Sequence, residues 1–186
     1  MPDAAAPRTR DAVLRHAARL FAQRGFRGTS VEDIGSACGV SGPAVYKHFS
    51  SKNAILARLL GDISEQLLTG GRQVVLDQPQ PAAALARLVA FHADFALAEP
   101  DVIRVQDRDL ASLNERDRTR VRRLQREYVE LWTDVLQRCH PELAAGDARL
   151  RVQAVFGLMN STPHSARDRT GARRQLVPMA LRALRG

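Results

Sequence analysis

Cysteine is nearly missing from this chain: Cys38 and Cys139 are the only two among 186 residues. Two thiols cannot build a disulfide framework or a four-ligand zinc site. No other Cys/His spacing suggests metal, so neither a metal site nor a cofactor is expected. The opening MPDAAAPRTR has no apolar h-region, and no run of 18 or more apolar residues occurs. A signal peptide and a membrane span are therefore not expected, and the reading is a soluble cytoplasmic protein. Catalytic signatures are missing as well. There is no glycine-rich phosphate loop, nucleophile elbow, HExxH motif or carboxylate pair set by spacing, so an enzyme is not expected. Lysine is almost absent too. Of 28 basic residues only Lys47 and Lys52 are lysines, and the rest are arginines. Last, strand-like alternation of β-branched and aromatic residues is missing, which leaves an all-α chain.

What is present is ordinary for a folded domain: 45% hydrophobic and 26% charged residues, enough to bury a core. The net charge of +8 attracts polyanions without choosing among them. The excess is +4 in residues 1–52 and +4 in residues 53–186, so charge alone does not locate a nucleic-acid site.

Apolar residues recur at helical spacing almost throughout. A first helix is expected from about Thr9, with Val13, Leu14, Ala17, Leu20 and Phe21 on one stripe and Gly25 as its stop. A hydroxyl cap at Ser30 opens a short helix that ends at Gly39. Ser41 and Pro43 open a third, closed by Phe49. Ser50 or Ser51 then caps a longer helix, with a break expected at Gly70-Gly71. Further helices are expected to Ala98, around Val102–Val105, from Asn114 to Cys139, and roughly over 147–162 and 171–184. The expected architecture is about nine helices, divided into a DNA-binding domain over 1–52 and an effector-binding and dimerisation domain over 53–186.

The informative stretch is TSVEDIGSACGVSGPAVYKHFSSK, Thr29 to Lys52. Two short helices joined by a tight turn at Gly39-Val40-Ser41 make a helix-turn-helix. Val31, Ile34, Val40, Val45 and Phe49 are apolar where the helices must pack. Gly42, Pro43, Ala44, Tyr46, Lys47 and His48 then form the outward face, which suits a major groove about 12 Å wide.

With its flanks, AARLFAQRGFRGTSVEDIGSACGVSGPAVYKHFSSKNAILARLL, this segment resembles the TetR family of bacterial transcriptional regulators. The pattern of Tyr46, His48, Phe49, Ser51 and Lys52 carries the resemblance. It implies a homodimer that binds double-stranded operator DNA, by default as a repressor released by a small-molecule effector. By the same resemblance Tyr46 and Lys52 fall where phosphates are touched. Pro43, Ala44, Lys47 and His48 fall at base or backbone contacts, and Ser30 and Ser41 at helix starts that meet the backbone. Gly42 offers no side chain and Val31 replaces a polar residue, so base readout rests chiefly on Lys47, with shape readout added. A constitutive or architectural DNA binder without an effector is the alternative, and a small helical enzyme a more distant one.

Beyond residue 60 the resemblance implies an apolar effector pocket. Phe91, His92, Phe95, Tyr128, Trp132, Phe156, Asn160 and His164 are the candidate lining, because a few polar groups among aromatics are what a small-molecule site needs. Arg116, Arg118, Arg120, Arg122, Arg123 and Arg126 crowd one helix. They form either a solvated face, paired in part with Asp107 and Asp109, or, with Arg123 foremost, the mouth for an anionic effector such as an acyl-CoA. The last two helices are the expected dimer interface, with Val155, Met159, Val177, Ala180, Leu181 and Leu184 as candidates.

Overall fold

A computed structural model describes residues 5–162 and 168–185 of the chain. Among the described residues every regular element is helical. The elements are α1 (Ala5–Arg24), α2 (Val31–Ala37), α3 (Gly42–Tyr46), α4 (Lys52–Asp77), α5 (Pro81–Ala98), α6 (Pro100–Asp109), a 3-10 turn at Leu110–Ser112, α7 (Glu115–Cys139), α8 (Ala145–Asn160) and α9 (Arg169–Arg185). The helix starts follow from local chemistry. Ser30 and Asp33 form a reciprocal capping box at α2. The Asn114 side chain accepts the Asp117 amide at 2.9 Å and opens α7. Prolines sit in the first turns of α3 and α5, where a missing N–H costs nothing.

Two compact units emerge. The first comprises residues 1–63 and 101–121, and the second comprises 64–100 and 122–186. α4 and α7 each run from one unit into the other, while α6 from Asp101 onward belongs to the first although it is far beyond residue 52 in sequence. The core of the first unit gathers Val13, Phe21, Ile34, Val45, Ile55, Leu56 and Leu60 with Val102, Val105 and Val121. α6 joins it through a polar latch as well. Buried Asp109 accepts the Phe26 amide at 3.3 Å and pairs with Arg108 at 3.0 Å. The Arg108 guanidinium also donates to the Phe21 and Ala22 carbonyls at the end of α1. The Phe21 carbonyl also accepts the Gly25 amide at 2.8 Å, and a cation at this helix end complements the dipole.

The second unit is built on Leu85, Leu88, Val89, Trp132, Val135, Leu136, Val152 and Met159. In it α4 passes through Gly70-Gly71 without the expected break. The glycines answer to packing. A Cβ on Gly70 would stand 2.4 Å from the Phe91 ring, and one on Gly71 would stand 2.7 Å from the Tyr128 ring. α5 is apolar and long enough to cross a membrane by length and composition alone, the one such helix among the described residues. It buries Leu85, Leu88, Val89, His92 and Ala93 against its own unit.

Candidate nucleic-acid interface and effector site

The turn between α2 and α3 is fixed by two glycines. Gly39 has φ +71°, a left-handed conformation that L side chains rarely adopt. Gly35 closes the turn. Its carbonyl accepts the Val40 amide at 2.9 Å, and a Cβ there would stand 2.9 Å from the Val40 oxygen. Val45 and Phe49 are buried, which turns the opposite face of α3 outward. On that face Pro43, Tyr46 and Lys47 are exposed, Tyr46 by 49%, while Ala44 and His48 are half-buried. Ser41 is exposed at the start of α3, and its hydroxyl makes no capping bond.

Three of the expected contact residues have packing or bonding roles within the chain. Gly42 is buried, and the space above it holds the Glu32 carboxylate, 3.3 Å from where a Cβ would sit. Gly42 is therefore a packing position and offers no surface to a base. The Ser30 hydroxyl donates to Asp33 at 2.7 Å and accepts the Asp33 amide at 3.0 Å, so it is committed to the cap. The Ser30 backbone amide, donating to Asp33 Oδ2 at 2.8 Å, and then the Ser30 hydroxyl hold the Asp33 carboxyl below its usual range. Lys52 has the most extensive bonding within the chain. Its ammonium donates to the Phe26 carbonyl at 2.8 Å and the Thr29 carbonyl at 2.7 Å, and lies 4.5 Å from the centre of the Phe26 ring. Lys52 thus clamps the α1–α2 turn, with one of its three N–H groups left over. The sequence pattern gave no hint of this clamp, nor of Arg10 stacked on the Phe49 ring at 5.4 Å.

In the second unit the expected lining residues do converge. His92 on α5, Tyr128 and Trp132 on α7, and Phe156 on α8 form an aromatic box, with His92–Phe156 ring centres 4.7 Å apart and Trp132–Phe156 centres 4.9 Å apart. Phe95 meets His92 edge-on at 5.6 Å, and Phe91 covers Gly70. His92 Nε2 lies 3.0 Å from Asn160 Oδ1, and the Tyr128 hydroxyl lies 3.4 Å from His92 Nδ1. Burial pushes the His92 imidazole down to about 4, opposed only by the Asn160 bond, and pushes the Tyr128 phenol up. Both groups are uncharged near neutrality. Burial likewise raises the Cys38 and Cys139 thiols, which keeps them protonated and inert. His164 lies outside the described residues.

Part of the arginine run on α7 is engaged. Arg118 pairs with Glu115, and Arg123 pairs with Glu127 at 2.9 Å, a carboxylate shared with Arg72 at 3.0 Å. Asp109, expected to face this run, is held by Arg108. The candidate dimer residues differ in burial. Val155, Met159, Ala180 and Leu184 are fully buried in their own unit, and Val177 and Leu181 are half-buried. The four buried residues support α8 and α9 from within, while Val177 and Leu181 keep part of their surface exposed.

Comparison with known proteins agrees with this architecture. The family model for bacterial regulatory proteins of the tetR family matches residues 13–59, and that for the tetracyclin repressor-like C-terminal domain matches residues 78–164. The HTH-type transcriptional repressor KstR2 of Rhodococcus jostii is 31% identical over 129 residues, which cover 69% of this chain and 63% of that protein. The chain thus spans just under two thirds of that curated relative's length. A TetR-family regulator from Bordetella parapertussis superposes with a TM-score of 0.84 at 27% identity, over 92% of this chain and 93% of that one. The TetR-family regulator PfmR of Thermus thermophilus gives 0.81 at 27% identity, over 95% and 96%. The chain belongs to the TetR family of bacterial transcriptional regulators, which are not enzymes.

Proposed function

We propose that this protein is a cytoplasmic, homodimeric transcriptional repressor that leaves its operator when a small, predominantly apolar effector enters the aromatic box. The observation that carries the reading is the pairing of two features in one chain. An outward α3 face of Pro43, Tyr46 and Lys47 rests on a buried helix-turn-helix core, and the second unit holds a box of rings with buried polar groups. Lys47 is the exposed cation of that face. Its amine reaches base acceptors such as the guanine O6 and N7, and Tyr46 and Ser41 supply hydroxyls for the backbone. An effector that binds one conformer better than the DNA-competent one shifts the population by that difference in affinity.

A second copy would pack on the outer faces of α8 and α9. There Leu150 is 65% exposed and Met179 45% exposed. Ala154 and Gly157 continue the α8 stripe, and Ala183 continues that of α9. Gly157 has open space beyond it, which permits close helix approach.

The test is selection of bound sequences from random duplex DNA with the full chain. A two-fold symmetric site is expected. Lys47→Ala should relax preference at one base position per half-site, costing about 1–3 kcal/mol of discrimination. Recovery of no preferred sequence would overturn the reading.

A further inference from the structure

We infer that the DNA-binding surface extends from α3 onto α1, where the Arg10 guanidinium, held over the Phe49 ring, binds a backbone phosphate beside the recognition helix. This rests on α3 being the helix that enters the groove, and it adds a cation from another element to that surface.

Arg10 occupies a register position where the fold asks for an apolar side chain. On α1 the buried residues Val13, Ala17 and Phe21 recur every four positions, and Arg10 stands three before Val13 on the same stripe. A leucine there would lengthen the core. Instead the stripe ends in an exposed guanidinium whose central carbon lies 5.4 Å from the centre of the buried Phe49 ring. Phe49 closes the turn that follows α3. Its amide donates to the Val45 carbonyl at 3.1 Å, and it follows Tyr46 by three residues. Positions three apart are neighbours on a helical turn, so the ring that carries Arg10 lies beside the exposed Tyr46 and Lys47 end of the α3 face.

The guanidinium is open to an anion. Arginine has five N–H donors, and those of Arg10 meet no acceptor among the described residues. The carboxylates of the helix-turn-helix are turned elsewhere: Glu32 lies over Gly42, and Asp33 serves the Ser30 cap. Asp11, next in the chain, projects about 100° further around α1. Stacking on the ring fixes the guanidinium plane, so less freedom is lost when an anion binds. The surface also lacks cations. Ser30 and Lys52 are committed within the chain, which leaves the α3 face with Lys47 and neutral hydroxyls. Phosphates line both lips of a major groove about 12 Å wide. A cation flanking the helix that enters the groove meets one of those lips.

The affinity of the full-length protein for random-sequence duplex DNA and for its selected site is measured over a series of salt concentrations. Arg10→Met keeps a flexible chain on the Phe49 ring and removes the charge. It should weaken binding to both duplexes alike and lower the slope of log affinity against log salt by about 0.9 for each protomer bound. Base preference should stay as it was. Arg10→Lys keeps the charge and should keep the slope. Urea unfolding without DNA checks that each variant is folded, and if Arg10→Met is not, Arg10→Gln supplies the same comparison. An unchanged slope in a folded variant without the charge would make Arg10 a staple of α1 on Phe49 alone. That would overturn the inference and leave α3 as the recognition helix. A slope lowered as much by Arg10→Lys would trace the loss to packing and overturn the inference too. Failure of the wild type to bind any duplex would overturn both the inference and the recognition-helix reading.

Discussion

Lys52 shows what a single side chain can conceal. In sequence it is a cation just after a recognition helix, which reads as a phosphate contact. In the structure two of its N–H groups close the α1–α2 turn through the Phe26 and Thr29 carbonyls. Lys52→Met should therefore destabilise the protein by about 1–3 kcal/mol in the complete absence of DNA, measured by urea unfolding. A side chain that served phosphate alone would show no loss there. His92 makes a prediction of different kind. Its folded pKa of about 4 lies below the unfolded value of 6.5. Above pH 6.5 both states are neutral and the residue adds no pH dependence. As pH falls below 6.5 the unfolded chain takes up a proton that the folded chain refuses until about pH 4. Stability should drop across that window, by roughly 2 kcal/mol between pH 6.5 and 5. Urea midpoints of the wild type and His92→Phe should diverge over this range. Parallel pH curves would mean that the imidazole is not held neutral. The expectation that His92 shares a site with Tyr128, Trp132, Phe156 and Asn160 came from the family resemblance together with helical spacing. Its tautomer and neutrality depend on Asn160, 68 positions away, and no local pattern encodes that distance.

Elements were legible where periodicity and caps agree, and less so where tertiary contact decides. The α2 and α7 starts, the α2–α3 turn and the α5–α6 break at Pro100 all stand where hydroxyl, amide, glycine and proline positions put them. α4 does not stop at Gly70-Gly71, because the rings of Phe91 and Tyr128 occupy the space that side chains would fill. Glycine lowers helix propensity by only about 1 kcal/mol, and packing overrides it. α6 was expected as a short helix, but its attachment was not. Asp109 was expected to pair with the α7 arginines, whereas it is buried on the Phe26 amide, and Arg108 beside it caps α1. Asp109→Ala should leave that amide and the guanidinium without their carboxylate, at a cost of about 1–3 kcal/mol. Hydrogen exchange should report faster opening of α6 amides, with the second unit's α8 unchanged as the internal control. Unaltered α6 protection would mean that its apolar residues Val102 and Val105 hold it without the latch.

At the scale of the whole molecule, symmetry decides how an exposed stripe is used. The residues that made α8 and α9 look like an interface, Val155, Met159, Ala180 and Leu184, are spent on the unit's own core. Helical geometry then points the other stripe outward: Leu150, Ala154 and Gly157 on α8, with Met179 and Ala183 on α9. A two-fold axis through that face pairs each stripe with its own copy and makes a four-helix contact. Two recognition helices would then meet half-sites about 34 Å apart, or a longer multiple. A charge on the stripe has little effect on the monomer's fold, because Leu150 and Met179 are already largely in water, yet a dimer would bury it twice. Leu150→Glu with Met179→Glu should therefore keep the helical signal while sedimenting as a monomer at micromolar concentration. Dimerisation makes the second half-site encounter intramolecular, an advantage of about 10²–10⁴. The double variant should lose at least 100-fold in affinity for the full symmetric site recovered by selection, with little change on a single half-site. A variant that stayed dimeric would place the two-fold axis elsewhere on the second unit. One that became monomeric but kept full affinity would mean that each protomer reads its half-site independently.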